Sequence, residues 1–169
     1  QDDTFYFDNV VFQVSYVLFK LPRQLLAGSG VFADMFALPP RQDGQEEGRD
    51  NEHAIKLPGI TAEEFRGFLR TIYPMTYDVD DVRVADRETW LSCLKLATQW
   101  NIDRMRKKAI CKLDQYGWDA IDKIVTAKRY HVSRWLIEGY IEVLQRHRLS
   151  VEEVRRLVPI FGMETVCLL

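Results

Sequence analysis

Apolar residues alternate with period two in only two places along this chain, and both stretches are short. In "TFYFDNVVFQVSYVLFKL" Phe5 and Phe7 alternate with Thr4 and Tyr6; Val10, Phe12 and Val14 alternate next; Val17 and Phe19 follow. Asp8-Asn9 and Ser15-Tyr16 supply turn residues, so this stretch predicts a meander of two or three short strands. The second stretch, "AIKLPGI", puts Ile55 and Leu57 on one side of a further short strand. So small a sheet cannot close a core alone. Helices must cover it, or another chain must.

The helices are signed in the rest of the sequence. In "LFKLPRQLLAGSGVFADMFALPP" (18–40), Pro22 suits a first helical turn, because its missing N–H would be unpaired there. Leu25, Leu26 and Ala27 complete about two turns, and Gly28 can close them in the left-handed conformation. Ser29 can cap a second helix, in which Val31, Phe32, Met35 and Phe36 fall at i, i+1, i+4 and i+5; Pro39-Pro40 stop it. A phosphate loop would need glycines along a strand-to-helix turn with a lysine or an acidic ribose partner behind them. Those are missing, so the glycines read as a hinge. The polar stretch 41–53 predicts a mobile loop.

"TAEEFRGFLRTIYP" is a helix with a capping box at Thr61 and Glu64, an apolar stripe of Phe65, Phe68, Leu69 and Ile72, and Pro74 as its stop. Residues 75–85 read as an acidic linker. From residue 86 onward the pattern is helical throughout, and Trp90, Cys93, Leu94, Ala97 and Trp100 share one face. Asp103, Asp119, Ser133 and Ser150 are the expected caps, and Ser150 with Glu153 forms a second capping box.

This helical half repeats itself. "ATQWNIDRM" (97–105) matches "AKRYHVSRW" (127–135) position by position, and a fainter copy, "VPIFGMETV" (158–166), follows. A period near 30 marks helix pairs, in which an aromatic closes one helix and the chain restarts the next. The repeat accounts for Trp100, Tyr130 and Trp135 as packing residues.

Catalytic and metal chemistry find little support. His53, His131 and His147 lack acids or nucleophiles at mechanistic spacing. Asp78, Asp80 and Asp81 lack the glycine and distal glutamate of a calcium loop. Cys93, Cys111 and Cys167 are too scattered for a zinc site and read as buried reduced thiols of an intracellular protein. No cofactor, metal or small-molecule substrate is implied, and the chain reads as a non-enzyme. A net charge of -2 argues against a nucleic-acid binder, so Arg104, Arg106, Lys107 and Lys108 read as the wet face of a helix. No apolar run reaches the ~20 residues of a membrane span. A start at Gln1 rather than Met, and an end on "VCLL", read as a piece of a longer protein.

One excess stands out. Phe5, Phe7, Phe12, Phe32, Met35, Phe36, Leu38, Met75 and Tyr77 crowd into the first 77 residues, around strands too short to hide them all. Exposed sheet edges and apolar patches of this kind are recognition surfaces. Phe5, Phe7, Met35, Phe36, Leu38, Met75 and Tyr77 are the candidate interface.

Phe19, Arg23, Leu26, Ala27, Gly30, Val31-Phe32, Met35 and Phe36 stand in an order that resembles the BTB/POZ domain. The family pattern is a strand ending in Phe-x-Val-His-Arg, then Leu-Ala-x-x-Ser-x-x-Phe-x-x-Met-Phe. "AIKLPGITAEEFRGFLRTIYP" resembles the next strand and helix, and "WLSCLKLATQWNIDRMRKKAICKL" is similar to the closing helix pair. "IDKIVTAKRYHVSRWLIEGYIEVL" and "LSVEEVRRL" resemble the C-terminal helical extension of fungal, mushroom-type members.

The resemblance implies an α+β fold, with a small sheet flanked by helices as a core over 1–115 and a helical extension over 116–169 packed on it. It implies a protein partner, through self-association as a possible homodimer or through recruitment of another chain. It also implies an intracellular setting, nucleus or cytoplasm. An adaptor role on a cullin-type ubiquitin ligase is the alternative, but the apolar-x-Glu triplet of cullin-binding members is Pro40-Arg41-Gln42 here. Pro22 replaces the family histidine. Only four residues precede Phe5, so the N-terminal helix exchanged across many BTB dimers is expected to be missing.

Overall fold

The structure is a computed structural model that describes residues 2, 6–26, 28–38, 47–73, 86–146 and 150–162. The chain divides into two compact units, residues 1–115 and 116–169.

The first unit is built on a three-stranded sheet of order β2-β1-β3. β1 (Asn9–Val14) and β2 (Val17–Pro22) form an antiparallel hairpin, and β3 (Ile55–Lys56) runs parallel to β1. The register places Phe12 opposite Phe19 on one side and Ile55 on the other. Central β1 is covered on both faces: Val10, Val11, Phe12 and Val14 are all buried. Edge strand β2 alternates, with Val17 and Phe19 half-buried and Leu18 and Lys20 exposed. The Ser15-Tyr16 turn is present, with Ser15 at φ 55.

The expected turn at Asp8-Asn9 is not there. Asn9 already opens β1, and residues 6–8 carry no strand. The backbone at Asp8 is engaged instead by the chain beyond β2: its carbonyl accepts from the Arg23 N–H at 2.8 Å. The two-turn helix expected from Pro22 is also corrected. Pro22 ends β2, and only a single 3-10 turn, Arg23–Leu25, follows. Gly28 does not adopt a positive φ.

Gly48 does. Its φ is +81, it is buried, and a Cβ there would lie 2.5 Å from Val10 Cγ2 and 2.9 Å from Ile55 Cδ1. Its carbonyl accepts from Val11 N–H at 2.7 Å, and its N–H donates to the His53 carbonyl at 2.6 Å. Residues 47–53 are therefore stitched to the sheet, which corrects the mobile-loop expectation for this part of the loop. Asp50 accepts from the backbone N–H of His53 at 2.9 Å and meets its ring Nδ1 at 2.7 Å, contacts that hold the Asp50 carboxyl below its ordinary range.

α1 (Gly30–Ala37), α2 (Ala62–Ile72), α3 (Arg87–Gln99) and α4 (Asp103–Leu113) complete the unit. Trp100, just past α3, is the hub. Its ring lies 5.0 Å from Phe32, 5.3 Å from Phe68 and 6.0 Å from Phe65, all edge to face. Phe65 in turn meets Phe12 and Phe19 of the sheet at 6.1 and 4.9 Å. The Ser29 hydroxyl accepts from Phe32 N–H as the cap of α1 and donates to the Trp100 carbonyl at 2.7 Å, in a buried setting. Thr61 and Glu64 form the expected capping box of α2.

The repeat proves to be a backbone motif. Asn101 (φ 52) and His131 (φ 56) both take the left-handed conformation, and the next residue bonds back five positions. Ile102 N–H donates to the Ala97 carbonyl at 2.8 Å, and Val132 N–H to Ala127 at 2.9 Å. Gly162 (φ 80) holds the same place in the third copy. Asp103 and Ser133 are consequently not caps; each is the first helical residue, preceded by buried Ile102 or Val132.

In the second unit α5 (Ala120–Tyr130), α6 (Ser133–Leu144) and α7 (Val151–Phe161) pack around Ala120, Ile121, Ile124, Val143 and Leu157. Gly139 lets α6 approach α5, since a Cβ there would stand 2.6 Å from Ile124 Cγ1 and 3.1 Å from the Ala120 carbonyl oxygen. Lys123 joins Glu138 and Glu142 at 2.9 and 3.0 Å, and Arg146 joins Asp119 and Glu153 at 3.1 and 2.6 Å. Asp119 and Ser150 cap α5 and α7 as expected, the latter with Glu153 as a capping box.

Candidate interaction surface

α1 carries two adjacent apolar columns, and the core accepts one of them. Phe32 is buried against Phe12 and Trp100, and Phe36 lies half-buried beside it, 6.2 Å from its ring. Val31 is exposed, Met35 is half-buried, and Leu38, the residue that terminates the helix, is 70% exposed. Val31 shares the helical spacing of Phe32, Met35 and Phe36 but stays outside, while the Ser29 bond to Trp100 holds the Phe32 side of α1 against the core.

Arg23 organises the neighbourhood. Its guanidinium stands over the Phe36 ring at 5.1 Å, a cation–π contact, and its Nε lies 3.1 Å from Asp8 Oδ2. It thus links the segment bearing Phe7 to the helix bearing Met35, Phe36 and Leu38. Phe7 is 46% and Tyr6 64% exposed. Four of the seven candidate residues (Phe7, Met35, Phe36 and Leu38) therefore belong to two segments tied together by one arginine. Phe5, Met75 and Tyr77 lie outside the described residues, as do Pro39, Pro40, Pro74, Asp78, Asp80, Asp81, His147 and Cys167.

Sequence reasoning missed Tyr6, Val31 and Arg23. Val31 was legible in principle: with Met35 it shares one side of α1, and it is offset from Phe32 by a full 100° of helix. It also missed an outward column on α6, where Ile137, Ile141 and Leu144 are exposed at i, i+4 and i+7. The signal was an excess, since "SRWLIEGYIEVL" holds more large apolar residues than one buried stripe can absorb.

Titratable groups offer little chemistry here. Burial pushes the Cys93 thiol up, with the Thr71 hydroxyl 3.3 Å from its sulfur. Cys111 is exposed, which corrects the expectation of buried thiols. Among the described residues no group of three or more His, Cys, Asp or Glu side chains could hold a metal ion. Among them, too, no helix is long and apolar enough to cross a membrane.

The BTB/POZ domain model matches residues 3–116. The chain belongs to the BTB/POZ family. Its α+β fold, a small sheet with flanking helices and further helices after it, accords with that family, and BTB/POZ domains are protein–protein interaction modules. No curated protein matches the chain.

Proposed function

We propose that this BTB/POZ chain is a non-enzymatic docking module that binds a protein partner, a second copy or another chain, through the outward side of α1 and the neighbouring segment 6–8. The observation that carries this reading is the exposure of Val31 and Leu38 on α1 and of Tyr6 and Phe7 on a segment that Arg23 ties to that helix through Asp8 and Phe36. Fixed aromatic and aliphatic side chains left wet at the end of a rigid helix are the usual anchors of a protein interface. The boundary near residue 115 supports a BTB core followed by a helical extension, which is fungal-type by the resemblance of residues 121–144 and 149–157. The exposed free thiol of Cys111 supports a reducing, intracellular setting, nucleus or cytoplasm. Pro40-Arg41-Gln42, in place of an apolar-x-Glu triplet, argues against a cullin adaptor.

Light scattering after size-exclusion chromatography tests the self-association arm. A mass that rises with concentration in the wild type, and stays monomeric in Val31→Asp/Leu38→Asp, is the expected result. A wild type that remains monomeric at high concentration removes the homodimer and leaves recruitment of a different chain.

A further inference from the structure

Beyond Asp103, the exposed residues of α4 form a second surface of different character. Helical geometry of 100° per residue places Lys107, Cys111, Arg104, Lys108 and Lys112 within an arc of about 140°. All five are exposed, while Ala109 and Leu113 on the other side are buried. Lys108 leans over the Trp90 ring at 5.8 Å. Arg104, Lys107 and Lys112 make no ion pair with any described residue. Several other cations are matched, among them Lys95 with Glu64, Lys123 with Glu138 and Glu142, and Arg146 with Asp119 and Glu153, and the unmatched Lys20 and Lys56 stand singly on strands β2 and β3. The stripe is not a by-product of general basicity, since the chain carries a net -2.

We propose that this face of α4 docks an acidic peptide segment. From residue 104 to 112 the helix rises about 12 Å, the reach of three or four residues of extended chain. A run of three or four carboxylates would therefore meet the four cations. Three of these are lysines, compact point charges that suit scattered carboxylates better than the planar, bidentate geometry that favours arginine on phosphate. α4 itself carries no aromatic residue and the Trp90 ring beneath Lys108 is buried, so no ring is open for a base to stack on and a nucleic acid gains only backbone attraction there.

The test uses the full chain and a fluorescein-labelled peptide with four aspartates between Gly-Ser flanks, read by fluorescence anisotropy. Wild type binds it, binding weakens as salt rises, and Arg104→Ser/Lys107→Ser/Lys112→Ser lowers affinity by about tenfold or more. Lys20→Ser/Lys56→Ser, which removes two cations elsewhere, leaves affinity unchanged. Alkylation of Cys111, followed by mass spectrometry on the unmutated protein, slows when the aspartate peptide is present. It is unaffected by the matched asparagine peptide. Equal affinity in the triple variant, an equal loss in the Lys20/Lys56 variant, or no protection of Cys111 would each overturn the proposal. So would tighter binding of an oligothymidylate than of the peptide, which would reassign the face to nucleic acid.

Discussion

The Ser29 hydroxyl serves two helices at once: it accepts from Phe32 N–H at the start of α1 and donates to the carbonyl of Trp100 at the end of α3. Removing it exposes two buried backbone groups to unmet demand. Ser29→Ala should lower stability by about 1–3 kcal/mol. Ser133 carries a similar sequence signature, yet it is an exposed first-turn residue that caps nothing. Ser133→Ala should stay within about 0.5 kcal/mol. Urea unfolding of both variants checks the contrast, and equal losses would contradict it. Gly48 teaches the same lesson from the other side. Sequence placed the demand for a left-handed glycine at Gly28, between two apparent helices, whereas the fold places it at Gly48, inside a stretch too polar to look structural. The reason is physical: a packing need for hydrogen in place of Cβ comes from Val10 and Ile55, and neither is local to residue 48.

At the scale of elements, helix starts made by side chains were legible and starts made by backbone were not. Thr61/Glu64 and Ser150/Glu153 sign their helices within four residues, and both capping boxes form. α4 and α6 begin instead where a left-handed residue and a bond back to Ala97 or Ala127 fix the chain, so Asp103 and Ser133 slipped from cap to first turn. Tyr6 and Phe7 form no strand for a related reason. Alternation marks a side that could be buried, but pairing needs a neighbour, and beyond Pro22 the facing chain turns into the 3-10 turn Arg23–Leu25. The α5–α7 link gives an element-scale test. The Ser150 backbone N–H and hydroxyl, helped by Arg146, hold the Glu153 carboxyl below its ordinary range. Burial opposes the charge of Asp119, but the Arg146 hydrogen bond and the Ile121 N–H outweigh it and lower that carboxyl too. Carboxyls lowered in the folded state stabilise it above the ordinary carboxylate range, and the gain is lost as pH falls through the lowered values. Asp119→Asn/Glu153→Gln should therefore be less stable than wild type at neutral pH, with the gap closing on acidification. A gap independent of pH in urea titrations would contradict this.

For the whole molecule, the sequence announced more apolar side chains than a small sheet could hide, and it named the family from their order. It could not say which would stay wet. That choice depends on a contact between residues 29 and 100, which turns one column of α1 onto Trp100 and leaves Val31 and Leu38 outside. The aromatic hub makes α1 a fixed platform, since Phe32, Phe65 and Phe68 all converge on Trp100. Docking through α1 is therefore tested by a paired capture from native extract with wild type and Val31→Asp/Leu38→Asp, both shown to melt at the same temperature. A protein retained at stoichiometric level by the wild type, whether a second copy or another chain, is expected to be lost from the double variant. Retention of the same proteins in the same amounts by both would contradict it.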